Sequence, residues 1–176
     1  MSRTAATLQS ALAMLQSGQA AQAAALLVPL AQREPKSGEV AFACASALLA
    51  AGQADRAAYF FERASQLSAQ DLQSQLTIAG ALLHASLGAS GIVVAKRALA
   101  LAPGHGHARV LLARATKAQA KVPGAYELGL SVLREGLARD PNQAELHQEL
   151  ARWLFAVGEA DASLVHARRA LELVPG

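Results

Sequence analysis

The chain has 176 residues, of which 53% are hydrophobic but only 4% aromatic, and 43 are alanine, the best helix former and the smallest side chain that still packs. Lys and Arg number 16 against 13 Asp and Glu; the cations stand singly except at Lys96-Arg97 and Arg168-Arg169, with no aromatics between them, which excludes the basic, base-stacking surface of a nucleic-acid binder. The single Cys44 cannot form an internal disulfide, and no apolar run approaches a signal peptide or a membrane span, so a soluble cytoplasmic protein is expected.

Prolines and glycines set a period. Pro35 and Pro103 are 68 residues apart, twice 34, while Pro141 and Pro175, Gly18 and Gly52, and Gly124 and Gly158 are each 34 apart. Each of these prolines follows an apolar helical stretch, as in Arg97-Ala-Leu-Ala-Leu-Ala-Pro103, and marks a helix stop because proline cannot continue the hydrogen-bond ladder. The chain therefore divides into a single array, 1–176, of units 4–37, 38–71, 72–105, 106–143 and 144–176.

In chain order, the first helices of the units are predicted near 4–17, 38–51, 71–86, 106–121 and 143–157. The second helices are predicted near 20–33, 54–67, 90–101, 125–139 and 160–173. Pro29 falls inside the first of these second helices, where a kink is expected. The third unit has Ser86 where the others turn on glycine. The fourth unit is four residues too long, and four residues make about one helical turn, so its first helix is expected to be extended.

The eighth position of the units reads Ala11, Ala45, Ala79, Ala113, Ala151, and the twentieth reads Ala23, Ala57, Gly91, Gly129, Ser163. Small residues in that register, with the 34-residue period, resemble the tetratricopeptide repeat over nearly the whole chain. The resemblance implies an all-α fold, a right-handed superhelical alpha-solenoid of antiparallel helix-turn-helix repeats. The position where each second helix meets the next repeat reads Leu30, Ala64, Ala98, Gly136, Ala170, which matches in four of five. One family feature is missing: the large aromatic early in the first helix is replaced by Thr7, Ala41, Gln75, Arg109 and His147.

By the same resemblance, the first helices line a concave groove through their second, fifth, sixth, ninth, twelfth and thirteenth positions. In the first three units these include Leu8, Gln9, Leu12, Leu15, Phe42, Ser46, Leu49, Gln73, Leu76, Thr77 and Leu83. In the last two they include His107, Val110, Arg114, Lys117, Gln148, Glu149, Arg152 and Phe155. Leucines at such positions either face a ligand or pack between neighbouring helices, and the pattern alone does not separate the two. Arg114, Lys117 and Arg152 are expected at a surface, because long charged side chains seldom belong in a core. The family's clamp for a partner's C-terminal carboxylate needs Lys, Arg and Asn where this chain has Leu8, Leu12, Ala43, Gln73 and Thr77, so recognition of that kind is not expected.

Catalytic signatures are not found: no phosphate-cradling glycine loop, no paired-cysteine zinc pattern and no nucleophile elbow. His105-Gly-His107 lies between repeats in what reads as a mobile loop, without a nearby carboxylate or thiol in sequence. The expectation is a non-enzymatic scaffold or adaptor, without cofactor or metal, that holds a protein or peptide in its groove. Two alternatives stay open: the substrate-recognition region of a larger bacterial hydroxylase, sulfotransferase or glycosyltransferase, and a chaperone for a secretion or pilus component. The last helix carries apolar Leu164 and Leu171 with no polar capping helix after it, which makes it a candidate for self-association.

Overall fold

The computed structural model describes residues 3–119 and 121–174. Those residues form ten α-helices: α1 (Arg3–Gln16), α2 (Ala20–Arg33), α3 (Gly38–Ala50), α4 (Ala54–Leu67), α5 (Leu72–His84), α6 (Gly88–Leu101), α7 (Gly106–Lys117), α8 (Ala125–Arg139), α9 (Ala144–Ala156) and α10 (Ala160–Leu173). Consecutive helices pair as five antiparallel hairpins, and each helix packs on partners one or two places along the chain. The result is a right-handed superhelical solenoid, in which the odd-numbered A helices form one layer and the even-numbered B helices the other.

Tight turns join A to B. Gly18, Gly52 and Gly158 take φ of 78°, 75° and 85°, the left-handed conformation that closes a helix with two backward hydrogen bonds. At the second turn these run from Gly52 N–H to Leu49 O (2.9 Å) and from Gln53 N–H to Leu48 O (2.8 Å). Ser86 adopts the same conformation (φ 59°), and its own N–H and that of Leu87 make the same two bonds, to Leu83 O (2.9 Å) and Leu82 O (2.8 Å). The fold thus imposes on a serine the geometry that glycine serves elsewhere.

The extra residues of the fourth unit do not extend α7. That helix ends at Lys117, and the insertion forms a loop reaching to Gly124, closed by Val122 N–H on Gln119 O (2.7 Å) and Ala125 N–H on Val122 O (3.2 Å). Pro123 disfavours helical backbone at the residue before it, and Gly124 is left-handed (φ 77°), so a continued helix is blocked from the far end. The start of the loop lies against α6, where a β-carbon on Gly88 would stand 2.9 Å from Ala118 Cβ.

Pro35, Pro103 and Pro141 occupy the loops after α2, α6 and α8; Pro175 lies outside the described residues. Side chains cap the helices that follow two of these loops and the loop after α4. Ser37 Oγ accepts from Val40 N–H (3.2 Å), Asp71 from Gln73 and Ser74 N–H, and His105 Nδ1 from Ala108 N–H (3.3 Å). The expected mobile His-Gly-His loop is therefore a helix start: His105 is the cap, and Gly106 and His107 are the first residues of α7. At Pro29, α2 continues to Arg33. The ring is exposed, and so is Ala25, whose carbonyl loses its helical partner and can be satisfied by water.

The positions chosen for smallness are buried. Ala11, Ala45, Ala79 and Ala113 have no exposed surface and Ala151 has 6%; Ala23, Ala57, Gly91, Gly129 and Ser163 are buried where the two helices of each hairpin cross. The positions that lack the family aromatic do something else. Gln75, Arg109 and His147 are all buried, and each binds the carbonyl of the loop or helix end just before its own helix: Ser68 O at 2.9 Å, Pro103 O at 3.0 Å and Pro141 O at 3.0 Å. Gln75 also holds Ser65, whose hydroxyl donates to Gln75 Oε1 while Arg97 Nη1 donates to Ser65 Oγ (2.8 Å). In the last three hairpins, hydrogen bonds to inter-repeat carbonyls thus stand in for an aromatic plug.

Candidate partner-binding groove

Helical periodicity, compared across the five A helices, separates open positions from closed ones. The second, ninth, twelfth and thirteenth positions are never buried in any hairpin. The ninth reads Leu12, Ser46, Gly80, Arg114, Arg152 and the twelfth Leu15, Leu49, Leu83, Lys117, Phe155. These positions repeat on one side of each helix and form a strip along the A layer. The strip is apolar over the first three hairpins, with Leu12 exposed and Leu15, Leu49 and Leu83 half-buried, and turns cationic and aromatic over the last two.

The fifth position mostly belongs to the core. Leu8, Leu76 and Val110 are buried at 8%, 7% and 1% exposure, so a ligand on the strip would not reach them. Phe42 is half-buried and meets Phe61 edge to face with ring centroids 5.7 Å apart. Gln148, at the same position of the last hairpin, is exposed. The sixth position is mixed: Gln9 and Thr77 are exposed, while Ala43 and Glu149 are buried. Gln73 and Thr77, with Leu76, Gly80, His84, His105 and His107, border a hollow of about 510 Å³ between α5 and α7. The tail-clamp positions hold no cation, and Leu8 and Ala43 among them are buried.

At the cationic end the structure brings α7 and α9 together around one carboxylate. Arg114 Nη2 lies 2.6 Å from Glu149 Oε2, and Arg152 Nη1 lies 3.4 Å from the same oxygen. The other oxygen, Oε1, accepts from the Trp153 indole N–H at 3.1 Å. Lys117 Nζ stands 5.2 Å from the centre of the Trp153 ring, a cation over an aromatic face. Burial pushes the Glu149 carboxyl up, but the Arg114 hydrogen bond and charge, the indole N–H and the Arg152 charge more than reverse this and hold it below the usual carboxylate range. The hydrogen bond to Glu149 in turn raises the Arg114 guanidinium against its burial, with the charges of Glu149 and Glu145 adding to it.

The sequence pointed to Arg114, Lys117 and Arg152 as a cluster; the structure places Arg114 and Arg152 on Glu149 and Lys117 over the Trp153 ring. What it did not reveal was the supporting role of Glu149 and Trp153, because that contact joins residues on two helices of different hairpins. One signal was available: Glu149, Arg152 and Trp153 fall three or four residues apart on one helix, close enough to meet. His107 Nδ1 lies 2.5 Å from Glu145 Oε1, a partner for His107 that the sequence placed 38 residues away. Among the described residues no group of three or more His, Cys, Asp or Glu could hold a metal ion. Cys44 is fully buried, and burial pushes its thiol up to about 11 against the opposing charges of Arg56 and Arg63, so it packs as a small apolar side chain.

The far face of the last hairpin is apolar and uncovered. Phe155 is 72% exposed and Leu171 71%, whereas the other apolar or small residues at the same repeat positions, Ala31, Ser65, Leu15, Leu49, Leu83, Leu99 and Leu137, are buried or half-buried and only Lys117 is exposed. Phe155, Leu171, Arg152 and Gln148 border a hollow of about 390 Å³ there.

No protein-family model matches the sequence, and no curated protein resembles it in sequence. Solved structures do resemble its fold. A double mutant of MamA from strain RS-1 superposes with a TM-score of 0.65 at 21% identity, over 98% of this chain and 96% of that one. MamA from residue 41 to the end, from Desulfovibrio magneticus RS-1, gives 0.64 at 21% identity, again over 98% and 96%. A further MamA crystal structure gives 0.66 at 14% identity, over 97% and 91%. Small residues at the helix crossings, a left-handed turn residue between the two helices of every hairpin and end-to-end likeness to a known tetratricopeptide-repeat protein together establish that this chain has the tetratricopeptide-repeat fold, in five consecutive hairpins.

Proposed function

We propose that the chain is a protein-interaction scaffold, without catalytic activity or cofactor, that holds a peptide or protein segment along the strip formed by its A helices. The observation that carries this reading is the strip itself: at the ninth and twelfth positions no residue is buried in any of five hairpins, although the chain is alanine- and leucine-rich and could have closed them. Leu12, Leu15, Ser46, Leu49, Leu83, Arg114, Lys117, Arg152 and Phe155 are its contact residues, with Gln73, Thr77 and Gln148 beside them. An apolar stretch continued by cations suits an amphipathic or extended segment laid lengthwise.

Capture from a native lysate, with the bound protein identified by mass spectrometry, tests this reading when run on variants. Leu49→Asp, or charge reversal at Arg114, Lys117 and Arg152, is expected to abolish capture, and Tyr59→Ala, on the exposed side of the B layer, is expected to leave it intact. The opposite pattern would rule the groove out. No described helix is long and apolar enough to cross a membrane, and a buried reduced thiol at Cys44 suits the cytoplasm, which is where we place the protein.

Self-association is a second reading, favoured by the uncovered Phe155, Leu164 and Leu171 on the last hairpin. Light scattering should then show a dimer or larger species that Leu171→Glu returns to monomer; a monomer at all concentrations would dismiss it.

A further inference from the structure

The groove's cationic end is a set of side chains held in place before any partner arrives. Glu149 is buried and fully occupied, one oxygen by two guanidiniums and the other by an indole N–H. Arg114 and Arg152 are each tethered to it through one nitrogen, with side chains 43% and 56% exposed, so most of their five N–H donors face outward. Lys117 rests over the Trp153 ring and is exposed. Two guanidiniums thus meet one buried carboxylate, with Lys117 beside them over the indole; the next acidic neighbour, Glu145, is bonded to His107, and with it counted the three cations still outnumber the two carboxylates. Anchoring lowers the entropy lost when an arginine fork closes on a carboxylate. At the rim stands Phe155, 72% exposed and beside Arg152 in the same hollow.

From this geometry we infer that the α7–α9 end of the groove binds the Asp and Glu side chains of an acidic segment of another protein, with an apolar residue of that segment set against Phe155. This rests on the groove reading above and adds the chemistry of the occupant. Charge complementarity excludes the chain's own first helix as that occupant: α1 carries Arg3 and no acidic residue, so a second copy stacked head to tail offers no carboxylate. The site also differs from a tail clamp, since the cations sit at the ninth and twelfth positions of the fourth and fifth hairpins.

The test uses the whole chain and a fluorescein-labelled synthetic helix with leucine on one face and glutamate on the other, alongside its all-glutamine counterpart. Anisotropy is expected to report binding of the glutamate peptide at low salt, at least about tenfold tighter than the glutamine peptide and weakening steeply as salt is raised. Trp153 is the only tryptophan, and its emission should shift on binding as Lys117 is drawn toward the ligand. Lys117→Gln and Arg152→Gln should each weaken binding by about tenfold. Arg114→Gln strands the Glu149 charge, so Arg114→Lys, which keeps it paired, is the safer third variant. Equal binding of the two peptides would overturn the acidic preference; if that binding vanished in Leu49→Asp, the groove reading would survive it. Binding indifferent to Lys117, Arg152 and Leu49 alike would overturn both.

Discussion

Gly129 and Trp153 occupy one space: a β-carbon on Gly129 would stand 2.1 Å from Trp153 Cη2 and 2.7 Å from Thr116 Oγ1. At this crossing in the first two hairpins the small residue is Ala23 and Ala57, and the residue at the tenth position of every other A helix is alanine where α9 has Trp153. The large ring and the missing methyl are one adjustment. Trp153 is buried in an apolar cluster of the last two hairpins, with Leu133, Leu146 and Leu150, and its ring lies 5.0 Å from that of Tyr126, whose hydroxyl donates to Trp153 O at 2.7 Å.

Gly129→Ala is therefore expected to destabilise by about 2–3 kcal/mol, because the β-carbon would meet the buried indole and the buried Thr116 side chain, neither of which has room to withdraw. Gly91→Ala is the control. Its β-carbon would meet Ala115 Cβ at 3.4 Å, which is contact without collision, and helix propensity favours alanine by up to about 1 kcal/mol. Urea unfolding followed by circular dichroism should separate the two variants in opposite directions; equal effects would refute the packing argument.

Ser86 holds a left-handed backbone that costs an L-residue about 1–2 kcal/mol. Ser86→Gly removes that cost but gives the unfolded chain more freedom, so a net gain of about 0.5–1 kcal/mol is expected. The readout is the thermal midpoint, which should rise while the helix content stays the same.

The Glu149 carboxyl is held below its ordinary value of 4.5 in the folded chain. Its contribution to stability is complete above that ordinary value and is lost as the pH falls through the lower folded one. Glu149→Gln should cost about 1–3 kcal/mol at neutral pH and flatten the acid limb of the stability curve below about pH 4.5. Trp153 emission should shift in this variant as its N–H partner changes.

His147 and His166 are joined Nδ1 to Nδ1 at 2.8 Å across α9 and α10. Because Pro141 O can only accept, His147 donates from Nε2, so its Nδ1 must accept from His166. Burial, the neighbouring His147 and the charge of Arg134 hold His166 below the ordinary histidine value of 6.5. A base with a lowered folded value binds protons more readily unfolded, so stability is full above 6.5 and declines as the pH falls below it. The thermal midpoint should drop between about pH 7 and about pH 5, and His166→Gln should remove most of that slope. An unchanged slope would assign the effect elsewhere.

Helix positions were legible in the sequence almost to the residue. The predicted B helices 20–33, 54–67, 125–139 and 160–173 coincide with α2, α4, α8 and α10, because glycine and proline mark their ends by local backbone sterics. The same logic misplaced the insertion before Pro123, where length allowed either a helical turn or a loop and the packing of Gln119 and Ala118 on Gly88 is compatible with the loop. It also could not rank the groove positions. Leu8 and Leu12 read alike, yet one is at 8% exposure and the other at 41%, a difference set by the packing of neighbouring helices and not by the local sequence.

What the sequence alone determined is therefore the number, order and lengths of the helices and the register of their small residues, all set by interactions within a few residues or by a repeat that announces itself. Tertiary structure decided which side chains remain open and which charges meet. Arg114 and Glu149 are 35 residues apart, and Gly129 yields its space to a ring 24 residues away. Such pairs are chosen by how hairpins stack, and stacking depends on side chains from two repeats at once.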